Sequence, residues 1–333
     1  MFSLLPYNTF GLDVKAASGL MVNCADDLKL RDRHAPQLIL GRGSDVLFTD
    51  DFDGQALIAH VRGIEIKEDD GCYLVRAGAG EILDEFIAVL LKQGITGLEN
   101  LSGIPGTVGA APIQNIGAYG VEIGDYIDTI EAVDIDSGEL SILSREECCF
   151  GYRDSIFKQH PERRLFVLYV NFVFPDHFVP HLSYKGLKEK ELQDAGAVRR
   201  EVLALRSRKL PDPRFVGNAG SFFKNPLVTE DKVKALREIY PDMPVFTTGT
   251  EGQYKLAAGW LIDQADCRGI THGHAGTWEH QALVLVNRGQ ARPHEIVSLA
   301  KYVAAQVSNK FAIELTPEVR LYGRNGEVKW TEL

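Results

Sequence analysis

Long apolar runs are missing from this chain of 333 residues, and with them any segment able to cross a bilayer as a helix. The first residues, Met1-Phe-Ser-Leu-Leu-Pro-Tyr-Asn8, offer neither a basic start nor a sustained apolar core. No signal peptide is read there, and a cytoplasmic protein is expected. Cysteine is scarce: Cys24, Cys72, Cys148, Cys149 and Cys267 form an odd set with no C-x-x-C spacing. Reduced thiols fit that set; a disulfide framework or a zinc site does not, and no metal is expected. Positive charge is in deficit too, with 36 Lys and Arg against 46 Asp and Glu and a net charge of −10. Nonspecific nucleic-acid binding needs clustered cations that release counterions, so neither nucleic acid nor membrane is an expected partner. Any anionic ligand must be held by local groups. Repeats and low-complexity tracts are absent as well. What remains is the composition of a globular protein, 45% apolar and 25% charged, at a length that calls for two or three domains.

One stretch stands out against that background. Gly103-Ile-Pro-Gly-Thr-Val-Gly-Ala-Ala-Pro-Ile-Gln-Asn-Ile-Gly-Ala-Tyr-Gly120 holds five glycines, two prolines and no charge. Glycine admits close backbone approach, and irregular turns leave N–H groups that attract anions, so a large ligand is expected against it. A buried loop packed for its own sake is the competing reading. A smaller turn, Gly41-Arg-Gly-Ser44, sits between two apolar runs within residues 38–48. A Rossmann fingerprint needs a helix after its glycines, whereas here a second strand is expected, so the turn is a phosphate nest or a plain hairpin loop.

Periodicity supplies the rest of the outline. Ile82, Leu83, Phe86, Ile87, Leu90 and Leu91 share one face of a helix from about Glu81 that Gly94 ends. Strands are read at 73–77, around 130–135 and at 166–174. A helix from Ala195 turns basic toward Arg206, Arg208 and Lys209 before Pro211-Asp-Pro213 stops it, and that proline pair marks a boundary. Beyond it come helices near 230–239, 255–264 and 294–308 and a strand at 282–286, the order of a small α+β domain. The chain closes in a hairpin, Phe311 to Tyr322 and Val328 to Trp330, about Asn325-Gly326 in a type I′ turn.

Seven segments, in order, resemble the UDP-N-acetylenolpyruvoylglucosamine reductases: Gly41-Arg-Gly-Ser44, Ile104-Pro-Gly-Thr-Val-Gly109, Pro112-Ile-Gln-Asn-Ile-Gly-Ala-Tyr-Gly120, Gly151-Tyr-Arg-Asp-Ser155, Lys209-Leu-Pro-Asp-Pro213, Gly217-Asn-Ala-Gly-Ser-Phe-Phe-Lys-Asn-Pro226 and Thr316-Pro-Glu-Val-Arg320. The resemblance runs nearly end to end and implies an α+β chain with an FAD-binding fold of the vanillyl-alcohol-oxidase type. Two FAD-binding subdomains would occupy residues 1–60, joined by the C-terminal hairpin 315–333, and residues 61–210; a substrate-binding domain would occupy 211–314. It implies FAD and NADPH as cofactors, UDP-N-acetylglucosamine enolpyruvate as the small-molecule substrate of a peptidoglycan-precursor step, and a monomer. FAD would be held by Gly41, Arg42, Gly43, Ser44 and Asp45, and by Gly103, Ile104, Pro105, Gly106, Thr107, Gly109, Ala110, Gln114, Asn115, Gly117, Ala118 and Tyr119. Gly78-Ala-Gly80 would complete the cradle.

In that family a hydride passes from NADPH to the flavin and then to the methylene carbon of an enolpyruvyl ether. Charge builds on the neighbouring carbon and its carboxylate, so the site needs a cation, a proton donor and an orienting group. By the match these are Arg153, Ser221 and Glu318. Without it they would read as a surface ion-pair residue, a turn serine and a solvated strand glutamate. The same match assigns substrate contacts to Tyr152, Tyr184, Lys209, Asn225 and Gln281. His272, His274 and His280 are weighed as metal ligands, and with no C-x-x-C or other acidic or cysteine pattern read as completing the set, no metal is expected from them. Two other functions compete: a sugar or alcohol oxidase on the same fold, for which Cys72 and His60 lack a flavin-tethering motif, and a nucleotide-sugar binder without turnover, which has no need of Arg153, Ser221 and Glu318 together.

Overall fold

The computed structural model describes all 333 residues. Strands and helices are mixed along the chain, and two compact units form. The first comprises Met1–Phe2, Ala16–Gly43 and Asp53–Ser207; the second comprises Ser3–Lys15, Ser44–Phe52 and Arg208–Leu333. The last crossing, between Ser207 and Arg208, lies near the end of the helix Ala195–Lys209.

The first unit is built on a five-stranded antiparallel sheet. Its order is Leu140–Ser144, Ile127–Asp134, Leu165–Pro175, Cys72–Gly78 and Ile64–Asp69. Alternation in the long central strand sends Phe166, Val170, Phe172 and Phe174 into apolar cores. The helix Leu83–Lys92 covers that sheet with Leu83, Phe86, Ile87 and Leu90, the spacing of one helical face, and Phe86 packs 5.3 Å from the Phe172 ring. Burying each such side chain stabilises the unit by about 1.5–3 kcal/mol. Gly94 at φ +78 turns the chain out of the helix, as read from the sequence.

Residues 38–48 are not a hairpin. Gln37–Leu40 pairs in parallel with Phe52–Ala59, and Val46–Phe48 pairs in parallel with Arg320–Gly323 in another sheet. The glycine turn therefore carries the chain from the first unit to the second.

In the second unit an antiparallel sheet runs in the order Gly217–Ser221, Gln281–Asn287, Ala275–Trp278 and Thr271–His272. The helix Pro293–Phe311 buries Ile296, Leu299, Ala300, Val303 and Val307 along one stripe. Glu230–Ile239 is helical as expected, but the helix read at 255–264 begins only at Ala258, because Gln253–Leu256 pairs as a strand with Leu227–Thr229 and Val245–Thr247. The C-terminal hairpin is shorter than read. Phe311 ends the long helix, and the strands are Arg320–Gly323 and Gly326–Glu327 with Gly323 opposite Gly326. Arg324 and Asn325 form the turn, neither with positive φ, so it is not type I′. Trp330 starts a 3-10 turn rather than extending a strand.

Candidate active site

The first unit brings three glycine segments together. A Cβ on Gly41 would lie 2.6 Å from Thr107 Oγ1, and one on Gly109 would lie 2.3 Å from Ala79 Cβ, so both positions require glycine for contact between protein segments. The competing reading of a loop packed for itself thus holds for part of the stretch. Gly78, Ala79, Gly80 and Glu81 all donate their amides to protein carbonyls, so this turn buttresses the long segment instead of offering donors to a ligand. Most amides from Gly103 to Ile116 are engaged in the same way. What the segment does offer is side-chain oxygen: Ser102 Oγ, Thr107 Oγ1 and Gln114 Oε1 are buried without a hydrogen-bond partner in the chain. Such orphans are costly unless a ligand completes them. Ser102, a lone serine outside the glycine stretch, carries no glycine or charge signal that would mark it in the sequence.

The ends of the stretch are fixed differently. Gly103 donates its amide to Asp84 Oδ1 at 2.7 Å, and Asp84 also takes Arg199 on both carboxylate oxygens, at 2.5 and 3.0 Å. Burial raises the Asp84 carboxyl, but the Arg199 and Gly103 bonds outweigh it and hold the group below its usual value. This support is present above the ordinary carboxylate range and is lost as pH falls through the lowered value. Asp84→Asn is expected to cost about 1–2 kcal/mol, discounted for partial solvent screening and read as an earlier midpoint in urea unfolding. Ile104, Pro105 and Gly106 follow, with the Gly106 carbonyl accepting from Leu83. Ala110 begins the turn Ala111–Gln114. Asn115, at φ +44, is buried; its amide donates to Glu122 Oε2 at 2.7 Å and to the Gly151 carbonyl, while Oδ1 accepts from Gly124. Its side chain therefore works inside the protein. Of the shorter turn, Arg42 is exposed and Gly43 is buried at φ +58. Ser44 begins the second unit, where the Asp45 carbonyl accepts from the Arg320 amide at 3.0 Å.

Arg153 lies against the same stretch. Its guanidinium donates to the Gly117 carbonyl at 2.9 Å and stands 5.4 Å over the Tyr152 ring. Gly117–Ala118 is a short strand paired with Val121–Glu122. Arg153 at φ +55 and Tyr119 at φ +53 occupy the left-handed region, a strain of order 1–3 kcal/mol each that surrounding contacts must hold. For Arg153 one such contact is Lys158 Nζ, which donates to its carbonyl at 3.0 Å. Tyr184 sets its ring edge-on to Tyr119, centroids 4.8 Å apart.

In the second unit Ser221 ends the strand Gly217–Ser221 at an irregularity: Asn218 pairs with Val286 and Ser221 with Val284. Asn218 shapes that bulge, its Oδ1 accepting from the Gly220 amide at 2.9 Å, and Gly220 adopts φ +70. Beyond Ser221 the chain pairs with the motif that carries Glu318. Glu318 donates its amide to the Phe222 carbonyl at 2.8 Å, and Lys224 donates to the Thr316 carbonyl at 2.9 Å. Ser221 and Glu318, almost a hundred residues apart in sequence, thus sit on adjacent backbones beside fully buried Phe222 and Phe223. Asn225 and Gln281 meet at the start of the helix Ala258–Gln264. Asn225 Oδ1 accepts from the Ala258 amide at 2.9 Å, and Gln281 Oε1 lies 2.6 Å from where a Cβ on Gly259 would stand. Lys209 is exposed at the end of its helix. His274 bonds Glu295 at the start of the helix Pro293–Phe311, and His280 packs against Trp278. No group of three His, Cys, Asp or Glu side chains is placed to hold an ion.

Two domain models and full-length relatives match the chain. Residues 212–322 match the model of the UDP-N-acetylenolpyruvoylglucosamine reductase C-terminal domain, and residues 28–144 match an FAD binding domain. A UDP-N-acetylenolpyruvoylglucosamine reductase of Photobacterium profundum is 43% identical over 99% of this chain and 97% of its own. One of Pseudomonas putida is 45% identical over 96% of this chain and 97% of its own. The crystal structure of UDP-N-acetylenolpyruvylglucosamine reductase from Thermus caldophilus superposes with a TM-score of 0.66 at 25% identity, covering 96% of this chain and 97% of that one. With the full length matched, an FAD-binding domain and an α+β fold, this chain belongs to the UDP-N-acetylenolpyruvoylglucosamine reductases, FAD-dependent oxidoreductases.

Proposed function

We propose that the protein reduces UDP-N-acetylglucosamine enolpyruvate to UDP-N-acetylmuramate with NADPH as reductant, as a cytoplasmic monomer. Residues 1–60 with 315–333, and residues 61–210, act as the FAD-binding subdomains, and residues 211–314 as the substrate-binding domain. FAD fits the chain: Ser102, Thr107 and Gln114 leave buried side-chain oxygens without a protein partner along the glycine segment, groups that a bound ligand can complete. Gly41, Arg42, Gly43, Ser44 and Asp45 act as its other contacts. The chemistry that FAD supplies when bound is hydride transfer from NADPH to the enolpyruvyl methylene carbon.

The residues of the chain do the rest. Arg153 holds the substrate carboxylate, where its planar fork matches the group as it gains charge. Ser221 gives a proton to the carbon beside that carboxylate; a hydroxyl is a weak acid, adequate because a carbanion is a very strong base. Glu318 orients the developing enolic group. Lys209 and Asn225 meet the diphosphate, Asn225 through its amide nitrogen because its oxygen caps a helix. Tyr152, Tyr184 and Gln281 complete the substrate contacts. The observation that supports this reading is the backbone pairing of Phe222–Lys224 with Thr316–Glu318, which brings the residue after Ser221 against Glu318 beside buried Phe222 and Phe223. The test is stoichiometry: NADPH consumption that requires the enolpyruvyl substrate and yields one UDP-N-acetylmuramate per NADPH. Oxygen uptake with a sugar or alcohol instead, and no such product, sinks it.

A further inference from the structure

Tyr184 belongs to a segment with little regular structure, between the strand Leu165–Pro175 and the helix Ala195–Lys209. Apolar side chains fasten it loosely. Leu187 is fully buried with Val198 and Val202, and Phe178, Leu182 and Leu192 pack around them. Two polar contacts define where its middle lies. Asn100, fully buried in the turn Glu99–Leu101, donates one amide hydrogen to the Tyr119 carbonyl and the other to the His181 carbonyl, both at 2.8 Å. The His181 ring nitrogen Nε2 meets the Tyr126 hydroxyl at 3.2 Å. One side chain thus joins the glycine segment to the Tyr184 segment, and an aspartate there could not do so, since a carboxylate has no hydrogen to donate. Three residues on, the Tyr184 ring stands edge-on to Tyr119, with 36% of the residue exposed.

We propose that Asn100 and His181 are positioning residues, a clip that holds the Tyr184 segment against the glycine segment and so sets how well Tyr184 meets the substrate diphosphate. The second half rests on the reading of Tyr184 as a substrate contact. Burial first, and the Glu99 carboxyl second, push the Tyr126 phenol up to about 12, so its hydroxyl keeps its proton and remains available to the ring of His181.

The clip and the substrate contact separate experimentally in the FAD-loaded enzyme. Lys185, Lys188 and Lys190 lie in the clipped segment, so limited trypsin digestion reads its docking without reference to activity. His181→Ala is expected to speed cleavage there and to raise KM for UDP-N-acetylglucosamine enolpyruvate about fivefold, the loss of one hydrogen bond. NADPH-driven bleaching of the flavin stays within about twofold. His181→Gln, whose amide can reach Tyr126, restores both values; His181→Phe, which keeps ring volume without the nitrogen, does not, and stands in should the alanine variant misfold. Wild-type cleavage in both His181→Ala and His181→Phe overturns the clip. Cleavage that rises while KM holds in these variants but climbs in Tyr184→Phe overturns its role in positioning. An unchanged KM in Tyr184→Phe removes Tyr184 as a contact and leaves the clip standing.

Discussion

Ser221→Ala is expected to bleach its flavin with NADPH at the wild-type rate and to lose about 10²–10³ in turnover of the enolpyruvyl substrate. The asymmetry follows from what the hydroxyl does. It has no part in accepting a hydride from NADPH, and it is the proposed source of the proton on the carbon beside the carboxylate. The local fold supports a selective loss, because Ser221 is placed by backbone: Asn218 Oδ1 holds the Gly220 amide, and the Phe222 amide donates to the Leu283 carbonyl at 2.9 Å. Alanine leaves those bonds intact, so stability should move by less than about 1 kcal/mol. Rapid-reaction absorbance, following bleaching and return of the flavin band separately, checks the expectation. Equal slowing of both phases would remove the proton-donor role.

Arg153→Met is expected to lower kcat/KM for the enolpyruvyl substrate by about 10² or more, the scale of a charged hydrogen-bonded partner of a carboxylate. Bleaching by NADPH should persist. Arg153→Lys keeps the charge but loses the fork, and with it the bond to the Gly117 carbonyl, so it recovers only part of the loss. Both variants keep the strained φ of +55, so backbone release does not confuse the comparison. Wild-type kcat/KM together with a lower melting temperature would instead mark Arg153 as a brace for Gly117.

How much of this was written in the chain divides along physical lines. The helices Leu83–Lys92, Ala195–Lys209 and Pro293–Phe311 were legible because a buried face repeats every three or four residues over several turns. The glycine stretch announced a special surface, yet its reason was only half visible. Gly41 and Gly109 are needed where segments of the protein meet, and the polar offer to a ligand comes from oxygens such as that of Ser102. Topology was hidden at residues 38–48, since parallel partners more than ten or two hundred residues away leave no local signal, and two apolar runs about a glycine turn look like a hairpin. The C-terminal turn was misplaced by one residue because Asn-Gly suggests type I′, whereas Gly326, at φ +127, sits in the strand pair itself. Asn100 had no signal at all. A single amide between glutamate and leucine becomes informative only when its two hydrogens are seen to meet Tyr119 and His181.

The most direct test of reductase function is the visible absorbance of the purified protein with air excluded, on adding NADPH and then UDP-N-acetylglucosamine enolpyruvate. A flavin band that bleaches with the first and returns with the second is the expected result. A band that bleaches and returns only when oxygen is admitted would contradict the reductase function and favour an oxidase, and the lack of any band after reconstitution with FAD would contradict the cofactor site itself.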